Sequence, residues 1–157
     1  MLTSLLRFFL ARKIRPYEFI KTHEIEYRPR LKELGLYIHI PFCKQICNFC
    51  PYNKILYDKQ LANEYTIGLI NELRFLKDKF QDKKITSVYV GGGTPSLLKE
   101  GLEKVFAYIN ENFNFHGEIA VELHPSDSDI QTLKFLNNIG VNLISLGLQS
   151  SPLIKIS

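Results

Sequence analysis

The stretch Leu36-Tyr37-Ile38-His39-Ile40-Pro41-Phe42-Cys43-Lys44-Gln45-Ile46-Cys47-Asn48-Phe49-Cys50 decides how the rest of the chain is read. Its first five residues alternate and are rich in β-branched and aromatic side chains, which predicts a strand ended by Pro41. The remainder holds all three cysteines of the 157 residues, spaced CxxxCxxC. Thiols so spaced can converge from one loop onto one small inorganic centre. They leave it one ligand short, because four thiolates usually close a [4Fe–4S] cluster. An unfilled position is what a catalytic metal site offers to a substrate or cofactor. Other readings of the same residues stay open. A disulfide framework sits badly with the odd count. A zinc site needs a fourth ligand, for which His39 is near in sequence. Buried structural cysteine is the plainest alternative, against which stand three thiols within eight residues, flanked by Pro41 and Pro51.

Working outward, Leu61, Tyr65, Leu69, Leu73, Leu76 and Phe80 recur at intervals of three or four and predict a long helix over 58–80, with Asp58 as its N-cap. Ile85–Val90 predicts a second strand running into Gly91-Gly92-Gly93-Thr94-Pro95-Ser96. Leu98, Leu102, Val105 and Ile109 mark a second helix, with Ser96 placed to cap it. Residues 118–122 form a short third strand. Ser126 or Ser128 caps a third helix that turns Ile130, Leu133, Leu136 and Ile139 inward and ends at Gly140. Residues 142–148 form a fourth strand. This alternation predicts an α/β fold with a parallel sheet and right-handed crossovers. Such sheets carry their reactive loops at the carboxyl ends of the strands. All the marked residues fall there: the cysteines after strand one, the glycines after two, Glu122 ending three, and Gln149 after four. The glycines have no side chains to keep a ligand from the backbone, and Glu122 ends an apolar strand where a carboxylate needs a partner. His39, on the strand face of Tyr37, is either adjacent to the metal ligands or a satisfied core histidine.

At 45% hydrophobic, the chain can bury the core of one domain. The net charge of +4 sits in residues 1–16, which hold Arg7, Arg12, Lys13 and Arg15 and no acid. Beyond them acid and base cancel, so no nucleic-acid surface is implied. In Met1–Leu10, Leu2, Leu5, Leu6 and Phe9 fall on one helical face. The run is too short to span a bilayer and lacks a small-residue cleavage site. It predicts an amphipathic helix docked on the protein's own core, with a membrane-surface contact as the alternative. Residues 1–34 are therefore taken as this helix and a lead-in, and residues 35–157 as the core. The expected address is the cytoplasm, where thiols stay reduced.

Tyr37-Ile38-His39-Ile40-Pro41-Phe42-Cys43 running into CxxxCxxC, then Gly91–Ser96, Glu122–Pro125 and Gly140–Ser150 in that order, resembles the radical S-adenosylmethionine (SAM) superfamily. Within it, the likeness is to oxygen-independent coproporphyrinogen III oxidases and their haem-chaperone relatives, over about residues 35–150. The resemblance implies the first part of a three-quarter TIM-like barrel. It implies that Cys43, Cys47 and Cys50 ligate a [4Fe–4S] cluster whose open iron takes the amino and carboxylate groups of SAM. One-electron cleavage of SAM then yields a 5′-deoxyadenosyl radical, with no catalytic residue beyond cluster and cofactor. Gly92, Gly93 and Thr94 match positions at the methionine end of SAM, and Glu122 matches a SAM contact. Tyr37 and Phe49 match aromatics beside the cluster and the adenine, and Gln149 a contact to the ribose region. A porphyrinogen or haem as small-molecule substrate, and an electron donor such as flavodoxin or ferredoxin, are implied as partners. The oxidases proper carry a further cysteine in a Cys-Gly-Cys-Asn-Lys run, where this chain has Cys50-Pro51-Tyr52-Asn53-Lys54. That departure points to the broader oxidase-like group, and a haem-transfer chaperone or an inactive remnant are the alternatives. The chain ends seven residues after Ser150, whereas the family continues. The expectation is an incomplete barrel with its fourth strand as an edge, completed in cis or by a separate chain.

Overall fold

Four apolar, β-branched runs form the sheet on which everything else is placed. In this computed structural model, residues 31–48 and 50–147 are described. Strand β1 spans Glu33–Ile40, β4 Lys84–Gly92, β5 Asn114–Leu123 and β6 Leu143–Leu146, and they pair in that order, every neighbour parallel. Two further strands, β2 at Phe42–Cys43 and β3 at Ile55–Leu56, form a short parallel pair of their own. The helices are α1 at Lys59–Lys77, α2 at Lys99–Asn112 and α3 at Ile130–Asn138. This is the parallel α/β arrangement that the sequence predicts. The expected N-terminal helix and most of the lead-in, together with Phe49 and Gln149, lie outside the described residues.

Period-two alternation divides the sheet into two faces. Ile38, Ile40, Val88, Val90, Ile119, Val121 and Leu123 are buried in one core with Leu102, Val105, Phe106 and Ile109 of α2. The opposite face carries Tyr37, 60% exposed, and its neighbours. Among the described residues, no helix is long and apolar enough to cross a membrane.

Local signals set most helix ends. Asp58 caps α1 by accepting from Leu61 N at 2.8 Å. The buried stripe of α1, however, is Ala62, Thr66 and Leu73, and Leu61 is 43% exposed. Phe80 falls beyond the helix in a 3-10 turn, Asp78–Phe80. Ser96 does not cap α2. Pro95 opens a 3-10 turn over Pro95–Leu98, the helix starts at Lys99 without a side-chain cap, and the Ser96 hydroxyl bonds to Asp127 instead. Neither Ser126 nor Ser128 caps α3. Asp129 does, accepting from Gln131 N at 3.0 Å and Thr132 N at 2.9 Å. Ile130 then lies at the first helical position and is 65% exposed, while Thr132 and Leu136 face the core. Gly140, at φ +97°, follows the helix end as expected.

Candidate functional site

Strand register brings the marked residues together on the open face. Tyr37 lies opposite Tyr89, and Tyr89 opposite Ala120; nearer the carboxyl ends, His39 lies opposite Gly91 and Glu122 opposite Ser145. The Tyr37 and Tyr89 rings stack, with centroids 6.1 Å apart and planes at 21°. The Tyr89 hydroxyl donates to Glu122 Oε1 at 2.7 Å, and the Gly92 N–H donates to Glu122 Oε2 at 3.2 Å. Glu122 thus has the partners that a carboxylate ending an apolar strand requires. The bond to Glu122, followed by burial, holds the Tyr89 proton above the ordinary tyrosine range. Burial, followed by the Glu122 charge, does the same for Tyr37. Tyr89 was missed in the sequence. Its alternation with Gly91 was the available signal, but only the pairing of β4 with β5 tells that it meets Glu122.

The cysteine loop is tied down at its stem. Ile55 N donates to Pro41 O at 2.8 Å and Tyr57 N to Cys43 O at 3.0 Å, so both ends of the loop are held by the β2–β3 pair. His39 Nε2 lies 3.0 Å from Asn53 O. A carbonyl only accepts, so Nε2 carries the proton and Nδ1 is free to accept from the Tyr37 hydroxyl at 3.1 Å. His39 is therefore a tether between strand and loop. The Lys54 ammonium bonds to Cys50 O within the loop.

All three cysteines are free and partly exposed. Burial pushes the Cys43 thiol up. The nearby Thr94 side chain works the other way, and Cys50 and Cys47 add to the rise. Among the described residues, no group of three or more His, Cys, Asp or Glu is gathered for a metal ion. The loop brings the thiols near each other without closing them into a finished ligand set.

The glycine turn is built against this loop. Gly93 N donates to Ile40 O at 2.6 Å and Thr94 N to Phe42 O at 2.7 Å, bonding the turn to the strand that leads into Cys43. A Cβ on Gly93 would meet Phe42 O at 2.5 Å and Cys43 Sγ at 2.8 Å, so no other residue fits between them. Cysteine loop and glycine turn are one backbone unit. Beside it stand a carboxylate and an exposed aromatic face. This combination can hold iron through sulfur, accept a hydrogen bond from an ammonium or hydroxyl group, and stack a flat ring.

The family model described as the radical SAM superfamily matches residues 37–152. The oxygen-independent coproporphyrinogen III oxidase of Salmonella typhimurium is 36% identical over 122 residues, 75% of this chain and 27% of that protein. Heme chaperone HemW of Bacillus subtilis is 38% identical over 118 residues, 73% of this chain and 31% of that protein. Among solved structures, coproporphyrinogen III oxidase from Escherichia coli, described as a radical SAM enzyme, matches with a TM-score of 0.70 and 34% identity over 77% of this chain and 29% of that chain. The chain spans less than a third of the length of each of these relatives.

Proposed function

The chain belongs to the radical SAM superfamily, and from that premise we propose that Cys43, Cys47 and Cys50 hold a [4Fe–4S] cluster beside a SAM site. The cofactors of the superfamily are a [4Fe–4S] cluster and SAM. The observation that carries the proposal is the bonding of the glycine turn to the cysteine stem, with Glu122 on the Gly92 amide. The donor set fits such a cluster: three free thiols on one loop, with backbone packed against Cys43 where Gly93 leaves no Cβ in the way. Because the thiols are not gathered into a ligand set, metal binding itself would draw them together.

A cluster held by Cys43, Cys47 and Cys50 would supply the one-electron reduction by which this superfamily cleaves SAM. The chain's own residues bind and orient. Gly92, Gly93 and Thr94 offer backbone groups to the methionine end, and Glu122 accepts a hydrogen bond from SAM. Tyr89 fixes the Glu122 carboxylate. Tyr37 presents an exposed ring for the adenine, with Phe49 and Gln149 completing the adenine and ribose contacts. Excluding water from the radical needs a closed cavity, and β6 is an edge of the sheet among the described residues. Substrate turnover is accordingly assigned to a barrel completed by further strands, in cis or from a separate chain.

The substrate class is a porphyrinogen or haem, in tetrapyrrole metabolism in the cytoplasm, with a flavodoxin or ferredoxin as electron donor. The core portion is assigned from Glu33, where β1 begins, and the residues before it to an N-terminal extension. A second reading is a haem-transfer chaperone. It is favoured by Tyr52 standing where the oxidases carry a cysteine. Haem titration followed by absorbance separates the two.

The test is anaerobic reconstitution of the full chain. About four iron per chain should bind through three thiolates, and Cys43→Ala, Cys47→Ala or Cys50→Ala should each abolish the brown chromophore while Tyr37→Phe retains it. Glu122→Gln should keep iron but weaken the effect of SAM on the electron paramagnetic resonance spectrum. Stoichiometric zinc with no iron uptake under reducing conditions would overturn the proposal.

A further inference from the structure

One side-chain cluster outside the thiols and cofactor contacts joins three loops at the carboxyl end of the sheet. Its centre is Asp127, 7% exposed, in the 3-10 turn Pro125–Asp127 that follows β5. The Lys44 ammonium, between the first two thiols, bonds and ion-pairs with Asp127 Oδ1. From the segment after the glycine turn, Ser96 Oγ donates to Asp127 Oδ2 at 3.2 Å. The turn itself is braced: Asp127 N donates to His124 O at 2.8 Å, and Ser128 Oγ to Pro125 O at 2.7 Å. These bonds fix the backbone of the turn that carries the carboxylate.

The pair is lopsided. The Lys44 side chain stays 61% exposed, whereas that of Asp127 is 8% exposed. Desolvation falls almost wholly on the carboxylate, which must then be bonded at both oxygens. An ion pair with one partner so exposed adds little to global stability. Its consequence is local: it anchors the backbone between Cys43 and Cys47, a span not held by the β2–β3 pair.

We propose that Asp127 is a positioning residue for the cysteine loop, holding Lys44 with one oxygen and Ser96 with the other, so that the segment between the first two thiols is fixed before any metal binds. Its bearing on cluster retention rests on the reading of the three cysteines as ligands; the latch itself is a property of the metal-free chain. The test has an arm for each. In the metal-free full chain, kept reduced, the rate of iodoacetamide alkylation at Cys47 is followed by peptide mass spectrometry. Asp127→Asn and Lys44→Met should each raise that rate about three- to tenfold, the scale of losing one charge-assisted bond on a partly exposed loop. The double variant should be no faster than Asp127→Asn alone, because both changes break one link. Lys44→Arg should restore the parent rate. Asp58→Ala, which uncaps α1, should lower the melting temperature without speeding Cys47. Equal alkylation rates in parent and variants, or additive effects in the double variant, overturn the latch. In the second arm, the reconstituted variants should lose iron to a chelator faster than the parent. Faster alkylation with unchanged iron retention overturns the positioning role. A parent that takes up no iron overturns the cluster reading, and the alkylation arm still decides the latch.

Discussion

Replacing Gly92 by alanine sets two independent effects against a single methyl group. At φ +116°, Gly92 occupies backbone space that side-chain-bearing residues rarely enter, and holding such a residue there costs about 1–3 kcal/mol. The added Cβ would also lie 2.7 Å from Ile40 O and 2.7 Å from His39 Cε1. The imidazole could yield, but Ile40 O belongs to β1 and accepts from Gly93 N at 2.6 Å, so it is held from both sides. Overpacking of this kind costs about another 1–3 kcal/mol. The sum, roughly 2–6 kcal/mol, is a large part of the 5–15 kcal/mol that stabilises a domain. Gly68 is the matched control. It lies within α1 with nothing inside 4 Å of its virtual Cβ, and Gly68→Ala should stabilise by about 0.5–1 kcal/mol through helix propensity. Urea unfolding followed by circular dichroism reads both. A Gly92→Ala midpoint equal to that of the parent, or an equal loss from Gly68→Ala, would refute the reasoning about this turn.

Tyr89→Phe removes the bond that fixes Glu122 but keeps the ring stacked on Tyr37. It should weaken SAM binding about fivefold, near 1 kcal/mol for a bond acting through a positioned group. Iron content should not change, and a SAM titration of the reconstituted protein checks both. The carboxyl of Asp129 is held below the ordinary carboxylate range, first by the Thr132 amide and then by the Thr132 hydroxyl. A depressed folded value means its contribution to stability is present above the ordinary range and lost as pH falls through the depressed one. Asp129→Asn should therefore lower the melting temperature at neutral pH and converge with the parent in acid. A difference constant across pH would count against the capping role.

The parallel order of β1, β4, β5 and β6 was legible because their runs alternate with helical periodicity and leave no other simple topology. So was the Asp58 cap, where a side chain satisfies its own neighbouring amide. Local rules failed where a distant partner intervened. Ser96 has the right chemistry to cap α2, but Asp127 takes its hydroxyl and Pro95 starts a 3-10 turn first. Leu61 fits the helical stripe of α1, but that helix closes on α2 at Gly101, where a virtual Cβ would lie 2.5 Å from Thr66 Oγ1. So close an approach admits only small residues, which turns Ala62 and Thr66 inward and leaves Leu61 outside. The two-residue strands β2 and β3 are too short to show any period. Tyr89 needed the register, since alternation alone cannot tell which sheet face becomes the site.

The geometry also bears on where substrate choice resides. An oxidase and a haem chaperone match this chain almost equally, at 36% and 38% identity over much the same length. A segment that resembles both so evenly is expected to hold what they share. The groups found here are of that kind: three thiols on one loop, a glycine turn bonded to Ile40 O and Phe42 O just before the first of them, and a carboxylate fixed by Tyr89 and a backbone amide. None of them recognises a tetrapyrrole. The departure at Tyr52 lies in the cysteine loop, 61% exposed, where it can meet a large flat ligand without disturbing the thiols. On the sheet, Leu143 offers a second exposed apolar surface, 48% exposed and paired in register with Ala120. Under the proposed function, variants at Tyr52 and Leu143 are expected to alter haem affinity in an absorbance titration while leaving iron uptake and SAM binding as they were.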